Sequence, residues 1–355
     1  MKRAVTDSRL SAAARALAAG LAALALAAGC SAHVRSVQAR PWKRPGPAQS
    51  ARPATARPSP SATPTPAALG TAGTYEAGER DMTFTEPAHT GPTGAAIGQR
   101  TLLTDIWYPR APGPAGSRPA RGPFPLIVFA PGFLLCASEY SDLLESWASA
   151  GYVVAAVNFP RTDCEAGAHA YEPDLVNQPR DMSYVLSRLL ALSARPGGLL
   201  SGLLNSGEVA VAGHSDGGDT VAALAANTCC ADHRLKAVAV LSGAEWPPMP
   251  GRYFARQAPP MLFVQGSADT INPPWTSVQL YSADHGNARY YLDLFGATHL
   301  VPYTGTNQTE RLVARVTLEF FDRYVLGQAG AAAKMTRDGN VGAAAALVSG
   351  GQPPP

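Results

Sequence analysis

The sequence predicts an α/β fold in which a mostly parallel sheet is flanked by helices. Three observations carry this prediction. Continuous apolar runs, such as residues 125–130 and 152–159, are what strands buried on both faces require. Segments with helical apolar spacing, 138–150 and 181–193, stand between such runs. Alternation of the two implies crossover connections, and hence parallel strands. At 355 residues, 46% of them hydrophobic, the chain can cover both faces of such a sheet.

In chain order, residues 74–84 and 99–108 alternate apolar and polar side chains and read as early antiparallel strands. Residues 110–123, rich in Pro and Gly, form a turn. The strand at 125–130 ends in Pro131-Gly132-Phe133, and the helix at 138–150 is closed by Gly151. The strand at 152–159 enters a polar loop, 160–178. After the helix at 181–193 come strands at 208–212, 235–241, 260–264 and 289–294, then a closing helix at 310–324. The domain is expected to cover 75–326, with 327–355 a loose tail ending in Gly and Pro.

The formal charge of +3 is unevenly spread: residues 1–30 carry +3, residues 31–74 carry +6 with no acid, and the remainder carries −6. The folded part is therefore mildly acidic, which speaks against a nucleic-acid partner. Residues 1–30 read as an export signal, because a basic segment precedes an apolar run at 16–29 that is too short to span a bilayer. The run ends Leu26-Ala27-Ala28-Gly29-Cys30, which is similar to a bacterial lipobox with its leucine one place early. Diacylation of Cys30 would tether the protein to the outer face of the cell membrane without a transmembrane helix. The alternative is a secretory signal cut near Ala28 or Ala32, giving a secreted protein. Residues 31–74, dominated by Pro, Ala, Ser, Thr and Arg, are expected to be a disordered linker.

Export changes the reading of cysteine, since paired thiols oxidise outside the cytosol. Cys136 and Cys164 each follow a strand of the parallel sheet, so their loops share one sheet edge, and a Cys136–Cys164 disulfide is expected. Cys229 and Cys230 are adjacent and could join only in a strained vicinal bond. No Cys-x-x-Cys spacing supports zinc, and no metal is expected.

The stretch Glu208-Val-Ala-Val-Ala-Gly213-His214-Ser215-Asp216-Gly217-Gly218 holds a G-x-S-x-G pattern between an apparent strand and an apparent helix. Strand, sharp turn and helix make this a nucleophile elbow rather than a Gly-rich turn with a chance serine. A serine hydroxyl needs a base, and the base needs an acid that fixes its tautomer. His299, in Gly296-Ala-Thr-His299 just past a strand, is the candidate base; His233 and His285 fall at the opposite sheet edge. Asp269, in Gly266-Ser-Ala-Asp269 at a strand end, is the candidate acid, with Glu245 its rival. The backbone N–H groups of Asp216 and Phe133 are placed to form an oxyanion hole.

Ala130-Pro-Gly-Phe133, the elbow, Gly266-Ser-Ala-Asp269 and Gly296-Ala-Thr-His299 together resemble the α/β-hydrolase superfamily. The nearest likeness is to dienelactone-hydrolase-like enzymes, platelet-activating-factor acetylhydrolases and bacterial polyester hydrolases, over about residues 75–326. The resemblance implies the α/β-hydrolase fold and a monomeric serine hydrolase of carboxylic esters with no cofactor, acting on a small-molecule or lipid ester. An amide or polyester hydrolase on the same triad, or a non-catalytic surface-binding lipoprotein, are the alternatives. In the polyester hydrolases the aromatic residue after Pro-Gly also packs on substrate, which maps to Phe133, and a tryptophan clamps the ester, which maps to Trp246. Their serine is followed by Met; here Asp216 follows. Its carboxylate is expected either to point away and pair with a cation, Arg161 being the nearest in order, or to meet a polar or cationic part of the substrate.

Overall fold

The computed structural model describes residues 75–111, 113, 118–286 and 288–351. The expected export signal, Cys30 and the linker at 31–74 lie outside the described residues. β1 (Glu76–Glu86) leads through a small ribbon, β2 (His89–Thr90) and β3 (Ala96–Ile97), into β4 (Arg100–Arg110), with which it pairs antiparallel. Then follow β5 (Phe124–Ala130), α1 (Ser141–Ser149), β6 (Val153–Asn158), α2 (Gln178–Ser193), β7 (Leu204–His214) and α3 (Asp216–Ala226). The chain continues through β8 (Ala237–Leu241), β9 (Met261–Gly266), α4 (Pro274–Ala283), β10 (Arg289–Leu294), α5 (Gln308–Tyr324), α6 (Ala331–Asp338) and β11 (Ala345–Ser349).

These strands form a nine-stranded sheet in the order β1-β4-β6-β5-β7-β8-β9-β10-β11. β6, β5, β7, β8, β9 and β10 run parallel, while β1, β4 and β11 form antiparallel margins. Burial follows position. Every residue of β5, β6, β8 and β9 is buried, which is why these segments read as unbroken apolar runs. One face packs on α2, α3 and α4 through Met182, Val185, Val221 and Leu280. The other packs on α1, α5 and α6 through Leu144, Trp147, Val313, Phe320 and Met335. In α1 and α5 the buried residues recur at helical spacing, so each helix offers one apolar stripe to the sheet.

The loose tail expected from residue 327 is corrected. α6 buries Ala331 and Met335, and β11 pairs antiparallel with β10 from Tyr290↔Ser349 to Leu294↔Ala345. The segment ends in glycines and prolines, but a five-residue strand needs only a free sheet edge, and β10 supplies it. The polar loop at 160–178 is also ordered into short 3₁₀ turns. It is moored by Arg100, whose guanidinium donates to both carboxylates of the buried pair Asp174 and Asp181 at 2.6–3.1 Å. Among the described residues no helix is long and apolar enough to cross a membrane.

Candidate active site

The carboxyl ends of β5 to β10 open on one edge of the sheet, where the crevice of a parallel α/β fold lies. β7 ends at His214, and Ser215 takes φ +55° before α3 begins at Asp216. Few side chains adopt this backbone, and it is held by the Ser215 N–H donating to the Leu241 carbonyl at 3.0 Å. The flanking glycines are steric necessities. A Cβ at Gly217 would overlap the Ala130 carbonyl, and one at Gly213 would overlap the Gly217 carbonyl. The spacing of the motif therefore encodes a helix start pressed against the two strands that precede it.

The structure brings Ser215, His299 and Asp269 together. The Ser215 hydroxyl lies 2.9 Å from His299 Nε2, and His299 Nδ1 lies 2.7 Å from Asp269 Oδ2. Asp269 accepts besides from the N–H groups of Ile271 and Asn272 at 2.9 and 3.0 Å and from Gln265 Nε2 at 3.1 Å. Burial alone would raise its pKa, but the His299 hydrogen bond and charge, with the two backbone donors, outweigh it and hold the carboxyl below the ordinary carboxylate range. Asp269 thus stays ionised and dictates that Nδ1 of His299 carries the proton, leaving Nε2 to accept from Ser215.

Glu245, the rival acid, is not bonded to His299; it lines a cavity of about 490 Å³ with Trp246, Tyr253 and Trp275. That cavity contains none of Ser215, Asp269, His299 or Phe133, and Trp246 packs against Leu175, Ala223 and Met249. Trp246 is therefore not placed on the triad. His233 lines a separate cavity beside Cys229 and Cys230.

The loop after β5 abuts the serine, since a Cβ at Gly132 would stand 3.1 Å from Ser215 Cβ. The N–H groups of Phe133 and Asp216 donate to no acceptor among the described residues and are free to face a reacting oxygen. Cys136 and Cys164 are bonded, joining this loop to the loop after β6, and Leu134 N–H donates to the Thr162 carbonyl at 2.7 Å beside that bond. Cys229 and Cys230 are bonded to each other.

Two features of the site differ from the sequence reading. Arg161 is not the partner of Asp216; its guanidinium lies over the Tyr171 ring, 4.4 Å from the centroid. Asp216 is buried, its Oδ2 has no partner among the described residues, and burial, then the nearby charge of Glu172, pushes its carboxyl up to about 7. The second is His214, which the sequence shows only as the variable position of the motif. It is fully buried, and burial, then the His299 charge, lowers its pKa to about 3, so it is neutral. The Tyr140 hydroxyl accepts from Gly132 N–H at 3.1 Å and donates to His214 Nδ1 at 2.7 Å. His214 Nε2–H then donates to the His299 carbonyl at 3.0 Å, and its ring packs at a tilt against those of His299 and Tyr303. One imidazole thereby links the Phe133 loop to the His299 loop.

Fold and site together are those of the α/β-hydrolase superfamily. Within it, the model of the family described as Chlorophyllase matches residues 116–268. The matched span contains Phe133 and Ser215 and ends one residue before Asp269. This likeness supports hydrolysis of esters as the general activity. No curated protein matches the chain.

Proposed function

We propose that the protein is an exported serine hydrolase of carboxylic esters, with Ser215 as nucleophile, His299 as base and Asp269 as the acid that orients it. The observation that carries this reading is the continuous chain of two hydrogen bonds, 2.9 and 2.7 Å, from Ser215 through His299 to Asp269. Ser215 Oγ attacks the ester carbonyl carbon as its proton passes to His299 Nε2. The tetrahedral oxyanion is met by the N–H groups of Phe133 and Asp216, the latter at the positive end of α3. Collapse breaks the bond to the alcohol, which leaves with the proton from His299. Water, deprotonated by the same imidazole, then attacks the acyl group, and the second collapse frees the carboxylic acid and returns the proton to Ser215.

The test is labelling by a fluorophosphonate probe together with hydrolysis of a soluble p-nitrophenyl ester. Ser215→Ala should abolish labelling and lower turnover by several powers of ten without unfolding the protein, because the three residues act as a unit. Near wild-type hydrolysis by that variant would reject Ser215.

The proposal includes attachment to the outer face of the cell membrane through lipid on Cys30, supported by the small residues that precede this cysteine at the end of an apolar run. Cys30→Ser should leave the protein soluble or unprocessed. Mass spectrometry showing an unmodified mature N-terminus at another residue would refute the anchor.

A further inference from the structure

The cavity that holds Glu245 is not used by the triad, yet its wall is bonded to the nucleophile elbow. Ala244, which lines it, donates its N–H to Asp219 Oδ1 at 2.5 Å, and Asp219 N–H donates to the Ser215 carbonyl at 3.0 Å. A Cβ at Gly218 would stand 2.9 Å from Gly243 Cα, so the loop after β8 and the first turn of α3 are in direct contact. Glu245, Trp246 and Tyr253 come to the cavity from that loop, and Trp275 comes from the start of α4, six residues past Asp269. Its volume, about 490 Å³, is that of an ordinary small-molecule site.

The polar groups of this lining are unspent. The Glu245 carboxylate has no hydrogen bond or ion pair among the described residues, and burial raises its pKa with no cation to oppose it. Trp246 Nε1–H is buried without an acceptor. Arg252 and Gln279 also line the cavity, and their side chains bond to no described residue. Acceptor, donors and an amide that is both thus stand among three aromatic rings, with one cation offsetting one anion. A wholly apolar guest would leave Glu245 and Trp246 Nε1–H unanswered. An organic cation would suit Glu245 and the ring faces but would meet Arg252 and offer nothing to the indole N–H. A sugar ring answers every group: its C–H face lies on an aromatic face, and its hydroxyls donate to the carboxylate and accept from the indole and guanidinium. We propose that this cavity is a saccharide subsite, so that the ester cleaved at Ser215 is an acyl group carried on a sugar hydroxyl. The acyl carbon then bonds to Ser215 Oγ as its bond to the sugar oxygen breaks, and the sugar leaves with the proton from His299. The consequence for catalysis rests on Ser215 as nucleophile, whereas saccharide binding does not.

The experiment uses the full chain, with Trp275→Ala and Glu245→Gln as separate variants; Trp275 is 64% exposed, so its removal leaves the core intact. The substrates are partially acetylated oligosaccharides of glucose, xylose and N-acetylglucosamine, with ethyl acetate as the ester of the same acyl group that carries no sugar. Wild-type kcat/KM on at least one acetylated oligosaccharide should exceed that on ethyl acetate at least tenfold. Each variant should reduce this ratio at least fivefold, chiefly through KM, with the far-ultraviolet circular dichroism unchanged. Binding is read apart from catalysis: the unacetylated parent oligosaccharide should quench the tryptophan fluorescence of Ser215→Ala protein saturably, and adding Trp275→Ala should weaken that binding at least fivefold. A wild-type ratio near one, or a ratio that either variant leaves unchanged, overturns the saccharide subsite. So does a wild-type preference for acetylcholine that Glu245→Gln abolishes, since an organic cation would then be the occupant. Near wild-type hydrolysis by Ser215→Ala protein that still binds the oligosaccharide saturably would instead fault the reading of Ser215 and leave the subsite standing.

Discussion

Asp216 contributes two groups of opposite consequence from one residue. Its N–H is proposed to stabilise a developing oxyanion, while its carboxyl, buried and without a partner on Oδ2, stands on the same turn. Unit charges about 5 Å apart at an effective dielectric of about 20 repel by about 3 kcal/mol, enough to slow the chemical step roughly a hundredfold. A protonated Asp216 avoids that cost, and burial, with the charge of Glu172, favours the protonated form by moving its titration to about 7. The sign follows directly. The folded-state value lies above the ordinary 3.8, so the folded protein holds a proton that the unfolded chain releases. The contribution is complete below the ordinary value and is lost as pH rises through about 7, and rate on a neutral ester should decline over the same range. Asp216→Asn should remove this descending limb. A pH–rate profile that the substitution leaves unchanged would show that only the N–H matters.

At the scale of elements, catalytic geometry in this fold requires loops from different strands to be held in register. β5 delivers Phe133, β7 delivers Ser215 and β10 delivers His299, and no backbone ladder joins the loops themselves. The Tyr140–His214 pair supplies the missing link, from Gly132 N–H to the His299 carbonyl. A neutral imidazole is needed because each nitrogen has one role, Nδ1 accepting and Nε2 donating. His214→Phe keeps an aromatic ring against His299 and Tyr303 but leaves the Tyr140 proton and the His299 carbonyl without partners, at about 1–3 kcal/mol each. We expect kcat to fall roughly tenfold or more with KM little changed and the far-ultraviolet circular dichroism intact. Unaltered kcat would mean that the two loops are positioned by other contacts.

At the scale of the whole molecule, the sheet is closed at its far margin by the tail. β11 covers the edge of β10, and α6 places Met335 into the core shared with α5. An uncovered edge strand offers unpaired N–H and C=O groups to other chains. Ending the chain at Gln328 should therefore lower the unfolding free energy by about 3–5 kcal/mol, from lost apolar burial and an exposed core margin. It should also promote aggregation. Urea denaturation measures the first effect, and a midpoint equal to that of the full chain would mean that α6 and β11 are dispensable.

The sequence by itself determined the class of fold, since the β5, β6 and β8 runs are apolar throughout only because both faces of a central parallel strand are covered. It also determined the turn at Ser215, because glycines at 213 and 217 meet a requirement that is local to the chain. Chain order and strand ends singled out Asp269 and His299, because ligand-facing loops of this architecture follow the carboxyl ends of its strands. Only the tertiary structure decided matters that depend on surfaces distant in sequence. The strand at Ala345–Ser349 forms because β10 offers it an edge, and Arg161 goes to Tyr171 rather than to Asp216 because the loop after β6 folds back on itself. His214 gains its link because Tyr140 and the His299 carbonyl, 74 and 85 residues away along the chain, arrive on its two sides. Periodicity and motif spacing report what each segment requires of its own backbone and of a generic apolar neighbour. Which particular partner satisfies a buried donor, acceptor or charge is fixed only when the chain has closed around it.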